Sequence, residues 1–367
     1  MSFYELVQKY NDFDFASHFN RVRSIDVYNA INLENPSEKD LLSLLSPQAS
    51  VHLEEMAGKA RDLTLRNFGK VVYLYAPLYV SNVCENECVY CGFKHSNKII
   101  RRKLALPEVR KEAEIVSGLG IKHLLLLTGE SRKMSPVSYI KECVGVLKEY
   151  FASVSIEIYP LGSEKYSELI SAGADGLTIY QETYNEELYP KLHLNGPKTD
   201  FRFRLDTPER ACKSRIRSVG VGALLGLSEF RKECFLTLMH AAYLQRNYPD
   251  IEISVSFPRI QPQVGGFKPS CIVTDTDIVQ LVLAARIFIP RIGINMSTRE
   301  KNELRMNLIG IGVTKVSAGS STEVGGYSSG EKSEAQFDVA DKTSVEKMKE
   351  LIYAKGFQPV MKDWDHY

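Results

Sequence analysis

The pattern of apolar and polar positions changes character near residue 70. Before it, Glu38 to Leu45 and Val51 to Asn67 carry apolar residues at three- and four-residue spacing, punctuated by Pro36 and Pro47, so the first seventy residues read as helical. From Val71 onward, short apolar runs alternate with longer amphipathic stretches. The runs predict strands at Val71 to Val80, His123 to Thr128, Val154 to Tyr159, Gly176 to Tyr180, Val219 to Leu225, Ile251 to Phe257, Gly293 to Met296 and Val313 to Ser317. The stretches between them predict helices at Pro107 to Leu119, Pro136 to Tyr150, Glu164 to Ala172, Thr207 to Ser218, Glu229 to Asn247, Thr274 to Phe288 and Thr298 to Leu308.

Eight strands alternating with seven helices imply a parallel sheet with right-handed crossovers, and a (β/α)8 TIM-type barrel is its natural closure. The expected fold class is therefore α/β. A helical N-terminal extension would cover 1–70, the barrel 71–320, and a C-terminal loop, helix and tail 321–367. The Gly/Ser-rich stretch Ala318 to Gly330 directly follows the last strand. That position puts it at the C-terminal mouth, where barrel enzymes build their sites, as a lid or ligand-facing loop. Thr343 to Lys355 reads as one more amphipathic helix, followed by an aromatic end from Gly356 to Tyr367.

Charge narrows the range of partners. With 46 basic and 45 acidic residues the formal net charge is +1, so no global field exists to hold a nucleic acid or an anionic membrane surface. The N-terminal MSFYELVQKYNDFDF lacks a basic segment followed by an apolar one, and runs such as Leu124 to Leu127 fall far short of a membrane span. A cytoplasmic protein is the expectation. Of seven cysteines, three crowd into eight residues while Cys143, Cys212, Cys234 and Cys271 stand alone, which is no disulfide framework.

The crowded three carry the chemistry. Cys84-Glu85-Asn86-Glu87-Cys88-Val89-Tyr90-Cys91 spaces its thiols by four and three, directly after the first strand. A loop this short can wrap three thiolates around one 4Fe-4S cubane and leave one iron without a protein ligand. His95 could complete a Cys3His zinc site instead, since structural zinc wants four closed ligands. A ferredoxin-type carrier would need a fourth cysteine at suitable spacing, and none follows. Three cysteines with an open iron, and an aromatic residue (Tyr90) before the third, is the pattern of radical S-adenosylmethionine (SAM) enzymes.

Other strand ends fit the same site. Thr128-Gly129-Glu130 ends the second strand, where Gly129 permits close backbone approach and Glu130 can accept from the SAM ammonium; alone, the triplet reads equally as a plain turn. Gln181-Glu182-Thr183 ends the fourth, where a carboxylate facing the mouth would bind ribose hydroxyls or else be a solvated loop charge. Arg204 either pairs with the SAM carboxylate in a bidentate fork or makes a surface salt bridge. Gly220 and Gly222 on the fifth strand suggest a close approach, with adenine as the candidate neighbour.

From about Leu42 onward the chain resembles the 2-iminoacetate synthase family, the tyrosine lyases of thiamine biosynthesis. The resemblance rests on ordered segments: Ala76-Pro77-Leu78-Tyr79-Val80-Ser81-Asn82, Cys91-Gly92-Phe93, Tyr180-Gln181-Glu182-Thr183-Tyr184, Ser256-Phe257-Pro258-Arg259, Met296-Ser297-Thr298-Arg299-Glu300, Ser317-Ala318-Gly319-Ser320, Val324-Gly325-Gly326-Tyr327 and Pro359-Val360-Met361-Lys362-Asp363-Trp364. It implies that a 5′-deoxyadenosyl radical takes hydrogen from the L-tyrosine amine, that the Cα–Cβ bond breaks, and that p-cresol and 2-iminoacetate leave. It also implies a thiazole synthase partner and an electron donor such as flavodoxin or ferredoxin.

A tyrosine site needs a cation, polar groups and apolar walls. Arg259 at the end of strand six is the candidate for the substrate carboxylate or its support, with Ser297, Arg299 and Ser317 facing the same mouth. Two alternatives remain at this level: the related tyrosine lyase of hydrogenase maturation, whose downstream cluster needs cysteines that do not follow Cys271, and a non-catalytic iron–sulfur protein.

Overall fold

The computed structural model describes residues 2–328 and 333–362. Ser329 and Gly330 of the Gly/Ser-rich stretch, and Asp363 and Trp364 of the last family-like segment, lie outside the described residues. Among the described residues nine strands form: β1 (Val71–Ser81), β2 (His123–Thr128), β3 (Ser153–Glu157), β4 (Gly176–Glu182), β5 (Ser218–Ala223), β6 (Glu252–Ser256), β7 (Gly293–Met296), β8 (Lys315–Ser317) and β9 (Gln358–Val360). The first eight run in order and in parallel, and β1 pairs with both β2 and β8, so the sheet closes into a barrel. A helix follows each barrel strand, from Leu106–Gly118 after β1 to Val345–Ala354 after β8.

Strand composition follows from that enclosure. A parallel strand inside a ring of helices is buried on both faces, so each face needs its own apolar or cavity-facing set. In β1, Tyr75, Pro77 and Tyr79 face the barrel interior while Leu74, Ala76 and Leu78 are buried on the other side. The same alternation puts Leu125 and Leu127 of β2, Glu157 of β3, and Tyr180 and Glu182 of β4 inside.

The N-terminal extension is helical, as expected, with five α-helices between Phe3 and Phe68. It packs on the barrel's own outer helices, Phe230–Asn247 and Asp275–Phe288. Phe3 stacks on His240 at 3.9 Å, and the buried Gln280 amide donates to the carbonyls of Leu44 (2.9 Å) and Ser46 (2.8 Å). The tail adds a strand that periodicity did not predict. β9 pairs with the first residues of β1, and Lys122 N donates to Met361 O at 2.8 Å, so the tail fills the gap between β1 and β2 at the barrel's base. No helix among the described residues is long and apolar enough to cross a membrane.

Candidate active site

The loop after β1 crosses the C-terminal mouth, and its backbone is held by neighbours on both sides. Glu85 N donates to Glu130 O (2.8 Å), Glu87 N to Asn195 O (2.9 Å) and Val89 N to Leu192 O (3.0 Å). The Arg101 guanidinium gathers the carbonyls of Asn82, Phe93, Lys94, His95 and Asn97 at 2.6–3.2 Å. Cys84, Cys88 and Cys91 are free, and amides approach two of the sulfurs: Asn86 Nδ2 at 3.7 Å from Cys84 and Gln336 Nε2 at 3.8 Å from Cys91.

Burial raises the Cys84 and Cys88 thiols, and the negative charge their neighbours in the trio would carry raises them further. Three thiols within electrostatic reach of one another form a soft donor set suited to iron, and only a polycationic body offsets their mutual repulsion. His95 Nδ1 lies 3.1 Å from the Cys84 carbonyl oxygen. Among the described residues no three His, Cys, Asp or Glu side chains, these included, converge tightly enough for a single ion.

Beside this loop, Asn86 ties three segments together. Its Nδ2 donates to Glu130 Oε2 (2.6 Å) and its Oδ1 accepts from Lys198 N (2.8 Å). Gly129 is required here, because a Cβ would lie 2.4 Å from Val83 O. The Thr128 hydroxyl turns to Gly129 O at 3.0 Å. Tyr90 lines the cavity and its hydroxyl meets His193 Nε2 at 2.7 Å. His193 Nδ1 lies 2.9 Å from Tyr189 O, which assigns the proton to Nδ1 and leaves Nε2 to accept from Tyr90.

Glu182 lines the cavity at φ 72°, a strained conformation for a residue with a side chain. Its carboxylate meets Lys198 Nζ at 2.7 Å and Arg204 Nη2 at 3.5 Å. Burial alone would raise its pKa; the two cations outweigh that and hold it below the usual range. Arg204 is buried and also donates to Tyr180 O at 2.7 Å, so it is an internal brace and not a surface salt bridge. Gln181 is the extra residue at the register shift between Tyr180 and Glu182, and its amide donates to Phe201 O at 3.4 Å instead of lining the cavity. At Gly222 the Tyr180 ring and Ser256 O occupy the room a Cβ would take.

Across the barrel, Ser297, Arg299 and Ser317 line the same cavity. Arg299 lies over the Phe337 ring, 3.3 Å from its centroid, and Ser317 Oγ accepts from Thr298 N at 3.0 Å. Arg259 is placed outside the lining. Its guanidinium is taken up by Glu300, by Asp275 at 2.8 Å and by Val273 O at 3.0 Å, and only its carbonyl supports Arg299, at 3.5 Å. The cation facing the cavity on this wall is Arg299.

Several lining residues were not singled out from sequence. The stretch after β8 is ligand-facing as expected through Ser320 and Thr322, but Gln336 and Phe337 beyond it also reach the cavity, and Tyr79 donates to Gln336 Oε1 at 2.8 Å. Lys198 arrives from a loop with no motif of its own. Glu157 had a visible signal, a lone carboxylate in the apolar run Val154 to Tyr159. Burial and the neighbouring Glu182 raise it to about 7, against the pull of Arg299, Arg204 and Lys198. The cavity volume is about 120 Å³, and about 980 Å³ when the space of its open mouth is included.

A closed parallel barrel with a three-cysteine loop over its mouth is the architecture of the radical SAM enzymes. Residues 78–242 match the Radical SAM superfamily, and residues 256–358 match the Biotin and Thiamin Synthesis associated domain. The chain is 39% identical to the 2-iminoacetate synthase of Salmonella typhimurium (strain LT2) over 96% of its own length and 94% of that protein, and equally similar to that of Escherichia coli (strain K12). It belongs to the 2-iminoacetate synthase family. A crystal structure of HydG, a maturase of the FeFe-hydrogenase, superposes with a TM-score of 0.89 at 32% identity, covering 96% of this chain and 80% of that one.

Proposed function

We propose that this chain is a carbon–carbon lyase that cleaves L-tyrosine between Cα and Cβ, giving 2-iminoacetate and p-cresol, with SAM as co-substrate. The observation that carries it is a single cavity joining the cysteine loop, through Tyr90 and Cys91, to an opposite wall bearing Arg299, Ser297 and Ser317. When bound, a 4Fe-4S cluster and SAM supply the 5′-deoxyadenosyl radical that takes hydrogen from the tyrosine amine.

The residues have the following parts. Cys84, Cys88 and Cys91 would hold the cluster through their thiolates. Glu130, steadied by Asn86, accepts from the SAM ammonium, and Gly129 lets the backbone of Thr128–Glu130 approach. Glu182 accepts from ribose hydroxyls, with Lys198 and Arg204 fixing its orientation. Tyr90, held by His193, packs at the cluster side. Arg299 receives the tyrosine carboxylate, with Ser297 and Ser317 beside it and Arg259 bracing it from behind. Tyr75, Tyr79, Tyr180, Leu125 and Leu127 enclose the ring and keep water away. The iminoacetate passes to a thiazole synthase partner, and the electron comes from a flavodoxin or ferredoxin.

The test is anaerobic turnover of the cluster-loaded protein with SAM, dithionite and L-tyrosine. The expected products are 5′-deoxyadenosine, p-cresol and glyoxylate from hydrolysis of the imine, none of them from Cys88→Ala. Cleavage of SAM without p-cresol would overturn the substrate assignment.

A further inference from the structure

We propose that Glu157 selects a hydroxylated ring, its carboxylate accepting the hydrogen bond of the substrate phenol. The proposal rests on the tyrosine reading above and extends it to the far end of the substrate.

Placement supports it first. In an eight-stranded ring β3 and β7 are four strands apart and face each other. Arg299 and Ser297, at the end of β7, stand on one wall, while Glu157, the last residue of β3, stands on the other. Between them Tyr75, Leu125 and Tyr180 line both this cavity and a smaller polar one deeper in the barrel, so they form a floor for an aromatic ring. Glu157 sits one inward-facing position above Ser155, which lines only the deeper space. An amino acid with its carboxylate on Arg299 and its ring across that floor directs its para position toward β3.

Occupancy of the other groups supports it second. Of the charged side chains lining the cavity, Glu182 is paired with Lys198 and Arg204, and Arg299 rests on Phe337. Glu157 alone among them has neither a hydrogen bond nor an ion pair with the described residues. An unpaired carboxylate away from bulk water is costly, and a neutral O–H donor satisfies it without adding a charge beside Glu182. A ring without the hydroxyl leaves that cost in place, which is how a polar site rejects an analogue one oxygen short.

The experiment uses the cluster-loaded protein with SAM and no reductant, so that binding is read apart from turnover. Affinities for L-tyrosine and L-phenylalanine are measured by equilibrium dialysis for wild type, Glu157→Gln and Glu157→Met, with cluster absorbance and SAM binding checking integrity. Glu157→Met is expected to weaken tyrosine by about 10- to 100-fold while leaving phenylalanine unchanged or tighter. Glu157→Gln, which keeps an acceptor and the volume, falls between. An unchanged preference for tyrosine overturns the proposal, as does an equal loss for both amino acids, which would move Glu157 to the amine. A wild type that binds tyrosine no better than phenylalanine defeats the tyrosine reading itself, and this proposal with it.

Discussion

Replacing Glu182 by glutamine keeps the shape of the side chain and removes one charge. The carboxylate lies between Lys198 at 2.7 Å and Arg204 at 3.5 Å, and the three side chains are only 11%, 12% and 9% exposed. Removing one partner of a buried ion pair costs about 3–5 kcal/mol, because the remaining charge has neither water nor a counter-ion. The glutamine oxygen can still accept from Lys198, so a loss of about 3 kcal/mol is expected. Urea unfolding of the ligand-free protein reads this without any contribution from SAM. A double-mutant cycle with Lys198→Met should show a coupling of about 1–3 kcal/mol.

The sign with pH is also determined. Glu182 is held below the usual carboxylate range, so its contribution is present above that range and is lost as pH falls through the depressed value; wild type and variant should converge in acid. A single-mutant loss under about 0.5 kcal/mol, or a strictly additive double mutant, would refute the reasoning by showing the pair to be screened like a surface one.

Two further outcomes follow from the same network and its neighbours. Glu157 is raised from 4.5 to about 7, so the folded state holds a proton that the unfolded chain gives up. Its contribution to stability is full below about 4.5 and is lost as pH rises through about 7, by roughly 3 kcal/mol at most, and Glu157→Gln should flatten thermal-unfolding scans across that window. In Gly129→Ala the added carbon meets Val83 O at 2.4 Å, which forces the strand end and the cysteine loop apart. A stability loss of about 1–3 kcal/mol and reduced iron content after reconstitution are expected, and iron assay with denaturant unfolding checks both.

The sequence by itself determined what depends on neighbours along the chain. The cysteine loop was legible because three ligands fall within eight residues, and the barrel was legible because a two-face-buried strand must be apolar. β2 and β7 form over His123–Thr128 and Gly293–Met296, the same bounds that periodicity predicts. What tertiary structure decided is which polar groups meet. The sequence favoured Arg259 for the substrate carboxylate, with Arg299 at the same mouth, but Glu300 and Asp275 take up the Arg259 guanidinium and Arg299 is the one that faces the cavity. Glu182 and Gln181 are neighbours in one motif, and the register shift at this end of β4 leaves one in the cavity and the other bonded to Phe201. Lys198 and Gln336 reach the site from loops without a pattern, and β9 exists only because β1 offers it an unpaired edge. A hydrogen bond or ion pair between residues far apart in the chain leaves no periodic trace in either segment, so these assignments appear only when the barrel closes.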